Sequence, residues 1–237
     1  MGKKKKNSNY VTEKKIQAQL EREKAKKEAK RKKLIKAIAI PCVAVVLLTA
    51  IIIGLVAILG NPNRKFEATH HASITIKDYG TVHLELYGNE APVTVSNFVS
   101  LANKGFYDDL TFHRIMKGFM AQGGCPDGNG TGGSDVDIKG EFSENGVDNP
   151  VKHVRGTISM ARSNDPNSAS SQFFIVHKTS KNNSLSLDGK YAAFGMVIDG
   201  MDVIDAMIKD AVKAGYTESV PSYDQPVIES ITIHEAH

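Results

Sequence analysis

The chain has 237 residues and a formal net charge of +4, but the charge is unevenly spread. Residues 1–36 hold 15 Lys/Arg and 4 Asp/Glu, a net charge of +11, whereas the remainder is acidic. This makes a nucleic-acid-binding reading weak, because the excess of cations is confined to a tail almost without aromatics. Two cysteines, Cys42 and Cys125, are too few for a disulfide scaffold, so the larger part must rely on its apolar core.

In chain order, residues 1–36 read as a basic cytoplasmic tail. Its Lys/Glu-rich stretch has good helix formers but no apolar stripe, which predicts a solvated helix or a disordered tail. Near a membrane it would attract anionic lipid. Residues 37–60 follow, 24 residues without a charge. A helix of that length rises about 36 Å, enough to cross a hydrocarbon core of about 30 Å. The run is longer than a signal peptide's apolar region and lacks a good cleavage site, so an uncleaved transmembrane helix is predicted. Lysines crowd its N-terminal side. This places the N-terminus in the cytoplasm and the large domain outside the cell membrane, as a single-pass protein. Residues 61–70 read as a linker.

The domain at 71–237 opens with Ile74 and Ile76, then Val82, Leu84 and Leu86, alternating with polar residues across Asp78-Tyr79-Gly80. That pattern predicts a hairpin with one buried face. Val95, Phe98, Val99 and Ala102 keep helical spacing, and Gly105 suits the helix end. Phe112–Gly124 predicts two strands broken near Lys117-Gly118, and Ser170–Ile175 a further one. Val203, Ile204, Met207 and Ile208 mark a second helix, and Ile231 and Ile233 a last strand that pairs with the first hairpin. The fold expected is mainly β, a closed antiparallel barrel with two α-helices.

Several motifs suggest other chemistry. Gly128-Asn129-Gly130-Thr131-Gly132-Gly133 fits a nucleotide-binding pattern formally. No helical pattern follows it, and Asp135 and Asp137 would repel phosphate, so it reads as tight loops. Cys125 reads as an inert small residue and His113 as a structural strand residue. Neither a Ser-His-Asp spacing nor a Cys-x-x-Cys or His-x-x-x-His metal motif is present. Arg114 and Gln122, by contrast, stand among large apolar neighbours. A buried or half-buried arginine needs partners.

Five blocks occur together and in order: Phe112–Gly124, Arg155–Arg162, Ser171–Ile175, Leu187–Gly195 and Gly200–Ile204. They resemble the cyclophilin family of peptidyl-prolyl cis-trans isomerases, closer to its bacterial members, over roughly residues 71–236. The resemblance implies an eight-stranded barrel with a helix over each end, and rotation about X–Pro bonds. It places Arg114 and Gln122 in the catalytic positions. Phe119, Met120 and Phe174 become pocket walls, although on pattern alone they read as ordinary core residues. Leu187 and Tyr191 complete the rim, and Ala161, Arg162 and Gln172 receive the peptide. The reaction requires no metal and no cofactor. One departure is visible: Ser186 stands where many animal members carry tryptophan, a residue this chain lacks altogether. The implied partners are proline-containing segments of secreted or surface proteins, with the chain expected as a monomer. A non-catalytic proline-peptide binder or holdase is the alternative.

Overall fold

The computed structural model describes residues 20–35, 65–180 and 186–235. The chain divides into two units, Met1–Arg64 and Lys65–His237. In the first, residues 20–35 form a helix, α1, exposed along its whole length. Its side chains are mostly Lys, Arg and Glu, so no face has an apolar surface to bury. The predicted span at 37–60 lies outside the described residues. Among the described residues no helix is long and apolar enough to cross a membrane.

Among its described residues, the second unit holds eight strands and two long helices, with a further helical stretch at 186–187. The strands are β1 (His70–Ile76), β2 (Gly80–Leu86), β3 (Thr111–Met116), β4 (Met120–Cys125), β5 (Thr157–Met160), β6 (Phe173–Val176), β7 (Ala193–Asp199) and β8 (Ile228–Glu235). The helices are α2 (Pro92–Asn103) and α3 (Met201–Lys213). Every strand pairing is antiparallel, in the order β3-β4-β6-β5-β7-β2-β1-β8. In β1 and β2 the buried residues alternate as predicted: Ala72, Ile74 and Ile76 against Val82, Leu84 and Leu86. Their register sets Ile74 opposite Val82, and Asp78 (φ 65°) and Gly80 (φ 121°) make the reversal in left-handed backbone. β8 pairs with β1, again as predicted.

The sheet is not the closed barrel that the sequence predicted. It is an open, curled sheet whose end strands, β3 and β8, form no ladder with each other. A seam of isolated pairings lies between them: Arg114 with Ser219, and Thr111 with Val227. Backbone bonds from Asp109 to Ile228 (2.9 Å), Phe112 to Pro226 (2.9 Å) and Ile228 to Leu110 (2.7 Å) add to it. Pro221 and Pro226 lie in the segment facing β3. They have no N–H to donate, so a continuous ladder cannot form there.

The domain also begins earlier than position 71. Thr69 pairs with Leu86 through its backbone N–H (2.9 Å), and the Phe66 ring lies 5.2 Å from that of Tyr87. The second half of the expected linker is thus part of the fold, because Phe66 supplies apolar area that Tyr87 covers.

Both helices pack into the main core. α2 lies against β8, and α3 against β2 and β3. From α2, Phe98 reaches an aromatic cluster with ring centroids 5.3 Å from Tyr107, 5.7 Å from Phe173 and 5.2 Å from Phe194. α2 ends as its glycine predicts, with Gly105 (φ 68°) donating to Ala102 O at 2.9 Å. Its start has no local cap, since Ala91 offers no side-chain acceptor. The carboxylate of Glu141, itself buried, does this instead. It accepts from Val93 N (3.0 Å), Thr94 N (2.8 Å) and Thr94 Oγ1 (2.7 Å). An anion at a helix N-terminus also meets the positive end of its dipole. Glu141→Ala would leave these donors without an acceptor and is expected to cost about 2–3 kcal/mol. A lowered urea midpoint at unchanged m-value checks this; an unchanged midpoint would show that the cap contributes nothing.

Candidate active site

The β3–β4 hairpin sets Arg114 directly opposite Gln122, and the β4–β6 pairing sets Gln122 opposite Phe174. Residues directly opposite in antiparallel strands share a face. Three side chains from three strands therefore stand in a row on the face away from the main core. Their strand neighbours Ile115, Ala121, Phe173 and Ile175 belong to that core, and Phe112 joins it through the register shift between Phe112 and Arg114. On the outer face Met120, Phe174, Val176 and Leu187 form a second apolar cluster, flanked by Met116, Phe119, Ala161 and Tyr191.

This cluster floors a groove of about 730 Å³. Of the ten side chains that the sequence singled out, nine line it: Arg114, Gln122, Phe119, Met120, Ala161, Arg162, Phe174, Leu187 and Tyr191. The tenth, Gln172, lines an adjoining recess of about 290 Å³ that also reaches Gln122 and Arg162. Hydrogen bonds join the polar members. Arg114 donates through one terminal nitrogen to Gln122 Oε1 at 3.3 Å, and Gln122 Nε2 donates to Gln172 Oε1 at 2.9 Å. Gln172 Nε2 donates in turn to the carbonyls of Gly130 (2.9 Å) and Gly132 (2.7 Å). The glycine-rich loop thus sits beside the groove, as its reading as tight loops predicts.

Arg162 holds the rim. Its Nε donates to Lys190 O at 3.0 Å, and its guanidinium carbon lies 4.7 Å from the Tyr191 ring centroid and 5.2 Å from that of Phe142. Phe119 is fixed where the hairpin turns through left-handed Gly118 (φ 81°). Its carbonyl accepts from His177 N (2.8 Å), and Gly118 N donates to His177 Nδ1 (2.9 Å).

Some of the site's support was missed from sequence. Arg114 donates to Glu218 Oε1 through Nε (2.8 Å) and the second terminal nitrogen (2.7 Å), so the half-buried arginine does have a carboxylate partner. Glu218 is more than a hundred residues away, and no local signal marks it. Under the groove, His153 stacks on Phe174 with centroids 6.0 Å apart and rings inclined by 15°. Its Nδ1 meets Asp188 Oδ1 at 2.9 Å and its Nε2 meets Ser159 Oγ at 3.0 Å. The sequence showed no Ser-His-Asp spacing, yet the fold assembles this line. His153 and Ser159 are fully buried, so it supports Phe174 and cannot act as a nucleophile. Burial alone raises the Asp188 carboxyl, but hydrogen bonds from the His153 ring and backbone outweigh it and hold it below the usual carboxylate range.

His113 lines the far end of the groove with Asp127, Ser219 and Gln225. It is buried, and neither ring nitrogen has a hydrogen-bond partner among the described residues. Burial, then the neighbouring Arg114 charge, pushes it below the ordinary histidine value, so it is neutral at pH 7. Cys125 is buried and accepts from Gly130 N through Sγ at 3.3 Å. Among the described residues no group of His, Cys, Asp or Glu could hold a metal ion.

The family of cyclophilin-type peptidyl-prolyl cis-trans isomerases matches residues 71–237. A peptidyl-prolyl cis-trans isomerase of Synechococcus elongatus is 48% identical over 120 residues, 51% of this chain and 75% of the relative. Peptidyl-prolyl cis-trans isomerase B of Bacillus subtilis is 45% identical over 127 residues, 54% of this chain and 82% of the relative. The crystal structure of a Cryptosporidium parvum cyclophilin-type isomerase, in the presence of the dipeptide Ala-Pro, superimposes with a TM-score of 0.59 at 30% identity. It covers 70% of this chain and 99% of that one. The chain belongs to the cyclophilin-type peptidyl-prolyl cis-trans isomerases.

The burial of a neutral His113 has a pH consequence. As pH falls below about 6.5 the unfolded chain protonates this residue while the folded one does not, so stability drops until the lower folded value is reached. Urea midpoints between pH 7.5 and 5 are expected to fall less steeply for His113→Gln than for the unaltered protein. Parallel curves would show that His113 titrates alike in both states.

Proposed function

We propose that the chain accelerates rotation about X–Pro peptide bonds in secreted or surface proteins, with Arg114 stabilising the twisted amide above an apolar proline pocket. The barrier to rotation, about 18–20 kcal/mol, arises from amide resonance. No bond breaks, so neither nucleophile nor metal is required. A twisted amide has a pyramidal nitrogen with a lone pair, which a guanidinium can hydrogen-bond together with a neighbouring carbonyl. A donor already aimed at that position stabilises the twisted state over the planar one and so lowers the barrier.

The observation that carries this reading is the row Arg114–Gln122–Phe174. It sets a cation beside an apolar floor of Met120, Phe174 and Leu187 in one groove. Glu218 and Gln122 occupy three of the guanidinium's five N–H groups, and the others remain for a substrate. Gln122 and Gln172 hold the polar side of the groove, while Ala161 and Arg162 offer the strip on which the peptide before proline lies. A protease-coupled proline-peptide assay on the full chain in mild detergent tests this. Arg114→Ala is expected to lower kcat/KM about 10²–10³-fold with an unchanged circular dichroism spectrum. More than half the unaltered rate would remove Arg114 from the mechanism and favour a groove that binds proline peptides without turning them over.

The location belongs to the same proposal. The uncharged run at 37–60 anchors the chain once in the cell membrane, and the +11 tail stays in the cytoplasm beside anionic lipid. The isomerase unit then meets its substrates outside, as a monomer and without a cofactor. Protease added to protoplasts is expected to digest residues 65–237 and spare an N-terminal tag. The reverse pattern would mean the opposite orientation.

A further inference from the structure

Glu218 lies in the segment between α3 and β8, and several bonds fix it against β3. Its carbonyl accepts from Ile115 N at 2.7 Å, Ser219 bridges Arg114, and Val220 N donates to His113 O at 3.0 Å. Behind it the buried side chain of Gln225 staples the segment in place. Its Nε2 donates to Val220 O and Gly128 O, each at 2.8 Å. The Glu218 backbone is therefore as firmly placed as the strand beside it. One carboxylate oxygen takes both Nε and a terminal N–H of Arg114, at 2.8 and 2.7 Å. Two bonds converging on that oxygen set the direction of one guanidinium edge, and the bond from another nitrogen to Gln122 limits rotation about it. The bond to Gln122, at 3.3 Å, is the longer one.

We propose that Glu218 is a positioning residue for the isomerase reaction: it sets the direction of one edge of the Arg114 guanidinium, so that the N–H groups it leaves unoccupied point into the groove. The inference rests on the role proposed for Arg114. The opposite effect, in which the carboxylate weakens catalysis by neutralising the cation, is the smaller one. The Glu218 side chain is 52% exposed, so solvent screens its field, while the geometry it imposes on the guanidinium is unaffected by screening. A donor aimed in advance at the twisted amide has no reorganisation left to make; one swinging on its stem does.

The test is a double-mutant cycle on the full chain, read as kcat and KM separately, with near-ultraviolet circular dichroism checking the fold. Glu218→Ala is expected to lower kcat about 5–10-fold with KM changed less than about twofold. Glu218→Gln, which keeps an acceptor of the same reach, is expected to lose less. In the Arg114→Ala background Glu218→Ala is expected to change nothing further, because a positioning residue has nothing left to position. An unchanged or raised kcat would overturn the proposal, as would the same loss in both backgrounds, which would indicate a structural role. If Arg114→Ala lowers kcat and Glu218→Ala does not, this inference alone fails. If Arg114→Ala is itself silent, the arginine mechanism fails and takes this inference with it.

Discussion

The face that carries the groove depends on the side-chain alternation of three paired strands. Because β3, β4 and β6 are antiparallel with Arg114, Gln122 and Phe174 in register, the strands that send Ile115 and Phe173 inward send a cation, an amide and a phenyl ring outward. The site therefore needs no separate scaffold. A slip of one residue in either pairing would bury Arg114 among apolar side chains and expose the core. Core and site are thus two faces of the same ladder, and the aromatic cluster around Phe98 that fixes the inner face also fixes the outer one.

A second constraint is the place where this ladder stops. An open sheet leaves strand edges unpaired, which invites association with other chains. Here the segment from Glu218 to Val227 covers the β3 edge through isolated bridges, and its prolines keep it from becoming another strand. Irregular backbone of this kind can place side chains off the period-two alternation. It brings Glu218 onto Arg114, and it lets Ser219, Val220, Ser222 and Gln225 wall the groove where a regular strand would offer every second residue only.

Buried polar groups hold the parts to one another. Glu141 joins the loop before β5 to the start of α2, and the Asp188–His153–Ser159 line joins the rim to β5 beneath Phe174. Each is fully partnered, which makes it specific, since a shift of either element would leave a charge or a donor unpaired in a dry interior. His113 stands apart, buried beside Arg114 with both ring nitrogens unpartnered among the described residues and held neutral by that setting.

Local pattern alone determined a good deal of this protein. Period-two alternation in residues 74–86 gave the first hairpin, helical spacing at 95–102 and 203–208 gave two helices, and Lys117-Gly118 gave the hairpin tip. Short contiguous motifs carried the family resemblance, and nine of the ten side chains drawn from them line one groove. These features were legible because each is written within a few residues. The tertiary structure alone decided the open sheet, the Glu141 cap on α2, the His153 support under Phe174 and the pairing of Arg114 with Glu218. Each joins elements far apart in sequence, and a residue's usefulness to a distant partner leaves no periodicity in its own neighbourhood. Glu218 and Glu141 look like any other loop carboxylate until the sheet folds around them.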